Sequence, residues 1–154
     1  LMEQIAVMDL LALGRFWLLP EDDLTLAALL KSPLVGLDEE ALLALAHGRG
    51  DVSLWEAMQA RAATDPALAA IVDRLRDWRD KARRLDPYGF YADILGAGHG
   101  RRDLVARLGP DSAEAINVFQ ATVRQWQAAN PPSLLGFLEA MAASEADVKR
   151  DMEE

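Results

Sequence analysis

Three observations predict an all-α protein, an irregular bundle of about eight or nine helices. Apolar residues recur at helical spacing through most of the chain, helix-start signals stand before one apolar run after another, and nothing alternates with period two over a useful length. The 154 residues, 51% hydrophobic and 27% charged, suffice to bury one substantial core. No linker divides residues 1–154 and no fixed repeat appears, so a single helical domain is expected and a solenoid is not.

From Met2 to Trp17, Ile5, Met8, Ala12 and Phe16 fall at helical spacing, and Val7, Leu10, Leu11 and Leu13 make most of the remaining circumference apolar. A helix apolar nearly all round is a central one, with Glu3, Asp9 and Arg15 read as its narrow solvent edge. Pro20 ends the run, and Asp22 or Asp23 can cap the next helix, which closes at Lys31. Ser32-Pro33 stops it because the residue before a proline is driven out of the helical region. Asp38 is an N-cap for Glu39 to His47, with Gly48 the expected C-cap. Ser53-Leu54-Trp55-Glu56 has the form of a capping box and opens a helix to about Ala63.

Asp65-Pro66 opens a long helix with an apolar stripe through Leu68, Val72, Leu75, Trp78 and Leu85. Its other face offers the i, i+4 pairs Arg76-Asp80, Asp77-Lys81 and Asp80-Arg84. Asp86-Pro87 starts a helix through Leu95, which Gly96, Gly98 and Gly100 then break around His99. A short helix with Leu104, Val105 and Leu108 ends at Gly109-Pro110. Ile116, Phe119, Val123 and Trp126 stripe another long one, and Asn130-Pro131-Pro132 is the sharpest break in the chain. Ser133 caps a helix through Met141, and Ser144 is expected to open a last one through Val148 and Met152.

The chain has no cysteine, which excludes a disulfide framework and thiolate metal sites and points to a reducing, cytoplasmic setting. Its longest apolar runs, such as Leu24 to Leu30, stop well short of the ~18 residues of a membrane span. A net charge of -9 argues against coating nucleic acid by charge alone. The charge is uneven, however. From Asp73 to Arg107 nine basic residues face six acidic ones, a balance of +3 that leaves -12 for the rest. The chain starts inside an apolar helical pattern and stops in VKRDMEE without a C-cap glycine, which reads as a piece excised from something longer.

Catalytic motifs are missing. There is no GxxxxGK[ST], no GxGxxG after a strand, no HExxH and no GxSxG, and the carboxylates lie mostly at caps or on helix ladders. The Gly96, Gly98, Gly100 cluster reads as a mobile loop and His47 as a helix-end residue. Trp17, Trp55, Trp78 and Trp126 could stack on bases, but core packing accounts for them. Arg101 and Arg102 stand out at the tip of the glycine loop, where two adjacent guanidinium groups can bind phosphates bidentately; Arg83 and Arg84 are further candidates.

Residues 9–45, DLLALGRFWLLPEDDLTLAALLKSPLVGLDEEALLAL, form a helix, a break with the paired acids Asp22-Asp23, an apolar helix, a Ser-Pro hinge and a glycine turn; SLWEAM follows at Ser53 to Met58. This order resembles the start of the helical insertion, subdomain 2B, in the second motor domain of UvrD/Rep-type superfamily 1 helicases. Among these, the stretches AVMDLLALGRF, LPEDDLTLA, RRDLVARLGP, PPSLLGFL and EADVKRDME are most similar to the AddA-type helicase subunits of bacterial double-strand-break repair helicase-nucleases. The resemblance implies a non-catalytic module of an ATP-driven motor that swings against the motor core and touches duplex DNA. The parent chain would carry ATP and Mg and the exonuclease activity, with an AddB-like nuclease subunit as partner, and this fragment would hold no cofactor.

In the UvrD-like pattern the hinge reads Thr-Pro-x-Arg-Gly-Ile-Gly. Here the matching positions are Ser32, Pro33, Leu34, Val35, Gly36, Leu37 and Asp38. Val35 replaces the arginine and Asp38 the second glycine, and a carboxylate there would occupy the helix-start amides and repel a phosphate. Ser32, Pro33, Gly36 and Asp38 are therefore expected to form a structural hinge without a phosphate grip, and any DNA contact is expected at Arg101 and Arg102. Two other readings stay open at this level: an acidic protein-interaction module without DNA contact, and a free-standing helical ligand-binding or dimerisation domain.

Overall fold

Side-chain caps set most of the helix boundaries. The structure, a computed structural model, describes residues 2–153, with side chains from Gln4 onward. Among the described residues it consists of nine helices and no strand: α1 (Met2–Leu18), α2 (Asp23–Lys31), α3 (Glu39–Gly48), α4 (Leu54–Ala62), α5 (Pro66–Arg84), α6 (Pro87–Leu95), α7 (Gly100–Leu108), α8 (Asp111–Ala129) and α9 (Leu134–Glu153). The all-α expectation holds.

Asp22, Asp38, Ser53, Asp65, Asp86 and Ser133 each accept a bond from the backbone amide three residues on, at 2.7 to 3.3 Å. Each satisfies one of the amides a helix start leaves without an intrahelical partner. Asp22 takes the cap of α2, so Asp23 is released for a long-range role. Its Oδ1 accepts from the Leu54 amide at 2.9 Å and its Oδ2 pairs with Arg49, tying the start of α4 to α2.

The axis of the bundle is α1. It packs most extensively on α8, next on α2, and also meets α5, α7 and α9. Leu10, Leu13 and Phe16 are fully buried, each burial contributing roughly 1.5–3 kcal/mol. Near the C-terminal end of α1, Phe16, Trp17 and Trp55 form a tilted and edge-to-face trio with centroids 4.1 to 5.8 Å apart. On its other side Tyr91, Phe119 and Phe137 pack edge to face at 4.9 to 6.4 Å, and Trp126 lies against Phe137 at 5.9 Å. With Trp78 buried as well, all four tryptophans lie in or against the core.

Several local expectations are corrected. Ser144 opens no helix: α9 runs without a break, because the alanines and glutamates around it favour helix and a serine caps only where the chain has already left one. Asp9 lies only 9% exposed rather than on a solvent edge, since so many helices surround α1; the side chain of Glu3 lies outside the described residues. The left-handed glycine after α3 is Gly50 (φ 62°), two residues beyond the expected Gly48. On α5, of the three predicted pairs only Asp77-Lys81 forms, at 3.1 Å. Arg76 instead reaches Gln59 of α4 at 2.8 Å, and Lys81 bridges on to Asp93 of α6 at 2.7 Å, which holds its pKa above the ordinary value. Leu85 sits past the end of α5 and is 37% exposed.

Candidate nucleic-acid interface

The least acidic section of the chain comprises most of α5, all of α6 and nearly all of α7. Arg83 and Arg84 lie exposed in the last turn of α5, where cations complement the negative end of the helix. Beyond α6 the chain turns tightly. Gly96 N donates to Ala92 O at 2.9 Å and Gly98 N to Asp93 O at 2.8 Å, and His99 takes a left-handed conformation (φ 62°). A Cβ at Gly98 or Gly100 would fall 2.8 or 2.7 Å from the Ile94 carbonyl oxygen. These glycines serve close backbone packing, and the segment is a hydrogen-bonded turn rather than an open loop.

Arg101 and Arg102 therefore stand in the first turn of α7 rather than at a loop tip, and they point differently. Arg101 is half-buried and donates to Gln120 Oε1 at 2.5 Å and, at the limit of bonding distance, to Ala113 O at 3.5 Å, both on α8. Its guanidinium fastens α7 to α8. Arg102 faces outward, its side chain 69% exposed, with only a loose 3.4 Å pairing to Asp103 beside it. Such exposed pairs contribute little and leave the cation available. α6 packs against both α5 and α7, and no hydrogen bond or ion pair among the described residues joins the two arginine pairs into one cradle.

The Ser32–Asp38 turn is filled internally. Ser32 is buried; its Oγ donates to Leu29 O at 2.7 Å and accepts from Leu34 N at 3.3 Å. Val35 N and Gly36 N donate to Ser32 O, and Leu37 N donates to Leu30 O at 2.8 Å. Arg74 of α5 holds the Leu34 carbonyl at 2.8 Å. Ser32 is extended (ψ 159°), Pro33 and Leu34 lie inside the turn that Ser32 O closes on Val35 N and Gly36 N, and Gly36 takes a positive φ of 75° at its end. Asp38 Oδ1 takes the Ala41 amide. The amides from Leu34 to Leu37 thus all donate within the protein, and a carboxylate stands at the start of α3. Such a turn fixes α2 against α3, with the amides from Leu34 to Leu37 engaged internally and the Asp38 carboxylate on the Ala41 amide.

Three features lie beyond the sequence reading. Arg124 stacks 4.5 Å over the Tyr88 ring and bonds to its hydroxyl, a pairing between residues 36 apart that no local pattern announces. Arg79 lies over Trp17 at 5.8 Å, from a different helix. Burial pushes the Asp9 carboxyl up to about 6, with Arg107 pulling it partly back, and Asp9 Oδ2 has no hydrogen-bond partner among the described residues. A lone acid in an apolar helix was the available signal for it. His47 and His99 are exposed, and among the described residues no group of three or more His, Cys, Asp or Glu could hold a metal. Among the described residues no helix is long and apolar enough to cross a membrane.

Compared with protein-family models and with curated proteins, the chain matches none.

Proposed function

We propose that this chain is a non-catalytic accessory subdomain of an AddA-type, ATP-dependent DNA helicase-nuclease acting in double-strand-break repair by recombination, where it positions duplex DNA or the partner nuclease subunit. The observation that carries the reading is the ordered set of similar stretches from Ala6 to Glu153. ATP, Mg and the strand-translocation chemistry belong to the rest of the parent chain. Arg102, Arg83 and Arg84, exposed in the +3 section, are the cations best placed to meet phosphates, and Arg101 supports them by anchoring α7.

Fluorescence anisotropy with a labelled duplex at low salt tests this. Weak, salt-sensitive binding is expected. Arg102→Glu and the Arg83→Glu/Arg84→Glu pair should weaken it, with the salt slope falling by about 1 for each phosphate that is no longer neutralised. Unchanged binding in both variants would remove these arginines from the account. A second reading, an acidic module that docks on the motor core or on the nuclease subunit without touching DNA, is favoured by the engaged Arg101 and by the -12 balance outside the middle section. Binding to a purified AddB-like subunit with none to DNA would select it.

A further inference from the structure

An apolar groove of about 780 Å³ opens between α1, α8 and α9. Val7, Met8, Leu11, Val118, Phe119 and Met141 line it, and Met8 and Val118 are left 63% and 57% exposed at its mouth. Apolar side chains gathered along a groove between helices are a common form of docking site for a partner helix. The polar rim has one sign. Asp111 and Glu114 stand on the α8 side and Glu145 on the α9 side, and no lysine or arginine is among the lining residues. Among the described residues Arg15 pairs with the rim, approaching Glu145 at 4.0 Å with both side chains exposed. The acids at the start of α8 also favour that helix end, but Glu145, in the middle of α9, has no such role.

Along α8 the lining runs from Asp111 to Thr122, roughly 17 Å or three helical turns. An open trough of that length between helices suits an amphipathic helix, and methionines on its wall adapt to the side chains of a guest. We propose that this groove docks a helix of a partner protein whose apolar face is flanked by lysines or arginines. The proposal stands on the groove alone and does not depend on DNA being bound.

The probe is a labelled synthetic peptide of about four helical turns, leucine on one face and lysine on the flanks. A scrambled peptide of the same composition and a version with glutamate in place of lysine serve as controls. Saturable binding of the amphipathic lysine peptide is expected, with both controls at least tenfold weaker. Val118→Arg, and separately Glu114→Lys with Glu145→Lys, should each weaken it tenfold or more while far-UV circular dichroism stays unchanged. These are surface positions on two different helices, so loss of fold in one variant leaves the other to decide. Equal binding of the scrambled peptide would reduce the effect to attraction by a chain of charge -9 and overturn the proposal, as would wild-type affinity in either folded variant. Sedimentation that reveals a dimer abolished by Val118→Arg would assign the groove to a second copy and overturn the partner helix.

Discussion

Asp9 carries the clearest chemical consequence of a single side chain. It is buried, its Oδ2 lacks a partner among the described residues, and its carboxyl is raised from the ordinary 3.8 to about 6. The raised folded-state value means that folding favours the protonated form. Below the unfolded value the carboxyl is neutral in both states and carries no penalty; as pH rises through about 4 to 6 the buried anion forms and stability is lost, by up to about 3 kcal/mol. Asp9→Asn keeps the shape without the charge. It is expected to be more stable than wild type by about 1–3 kcal/mol at neutral pH, with the difference vanishing near pH 4, in urea denaturation. A variant less stable at both pH values would show that the carboxylate is held by interactions stronger than its burial penalty. The sequence displays this acid plainly, but which face of α1 is covered depends on helices contributed from residues 23 to 153.

At the scale of elements, Gly14 of α1 faces Tyr91 of α6 and Leu138 of α9. A Cβ there would fall 2.6 Å from Tyr91 Oη and 3.0 Å from Leu138 Cδ1. Tyr91 is fully buried and donates to Leu10 O at 3.0 Å, so its hydroxyl has little room to retreat. Gly14→Ala is expected to cost about 1–3 kcal/mol from overpacking, despite the better helix propensity of alanine. Tyr91→Phe removes the clashing atom. The double variant should therefore lose less stability than the sum of the two single losses, by about 1 kcal/mol in a double-mutant cycle. Strict additivity would separate the glycine from the tyrosine. Helix starts are legible in the chain because a cap is a local bond between residues three apart, as at Asp38, Asp65 and Asp86. The continuity of α9 is not legible, because Ser144 supplies a cap residue without a preceding break, nor is the pairing on α5, because Arg76 and Lys81 find partners on α4 and α6.

For the whole molecule, one continuous cluster of buried residues draws on α1 through α9, from Ala6 to Leu138. Shared burial of this kind couples the helices, and a single cooperative unfolding transition is expected. Tryptophan fluorescence reports α1, α4, α5 and α8 through Trp17, Trp55, Trp78 and Trp126. Its denaturation midpoint should coincide with that of far-UV circular dichroism, which reports all helices; separated midpoints would divide the core into independent units. The same scale governs the candidate interface. Charge counting located the +3 section, yet only packing distinguishes Arg101, whose guanidinium is engaged with α8, from Arg102, which faces solvent.

By itself the amino-acid sequence determined the all-α class, most helix starts and the stop of α2 at Ser32, because periodicity, caps and proline act over a few residues. The tertiary structure alone decided that Asp9 is buried, that Arg101 is a fastener, that the glycines around His99 pack against the Ile94 carbonyl, and that α1, α8 and α9 leave an acidic-rimmed groove between them. Each of these depends on surfaces brought together from distant parts of the chain, and burial, pairing and shape at such junctions have no local signature.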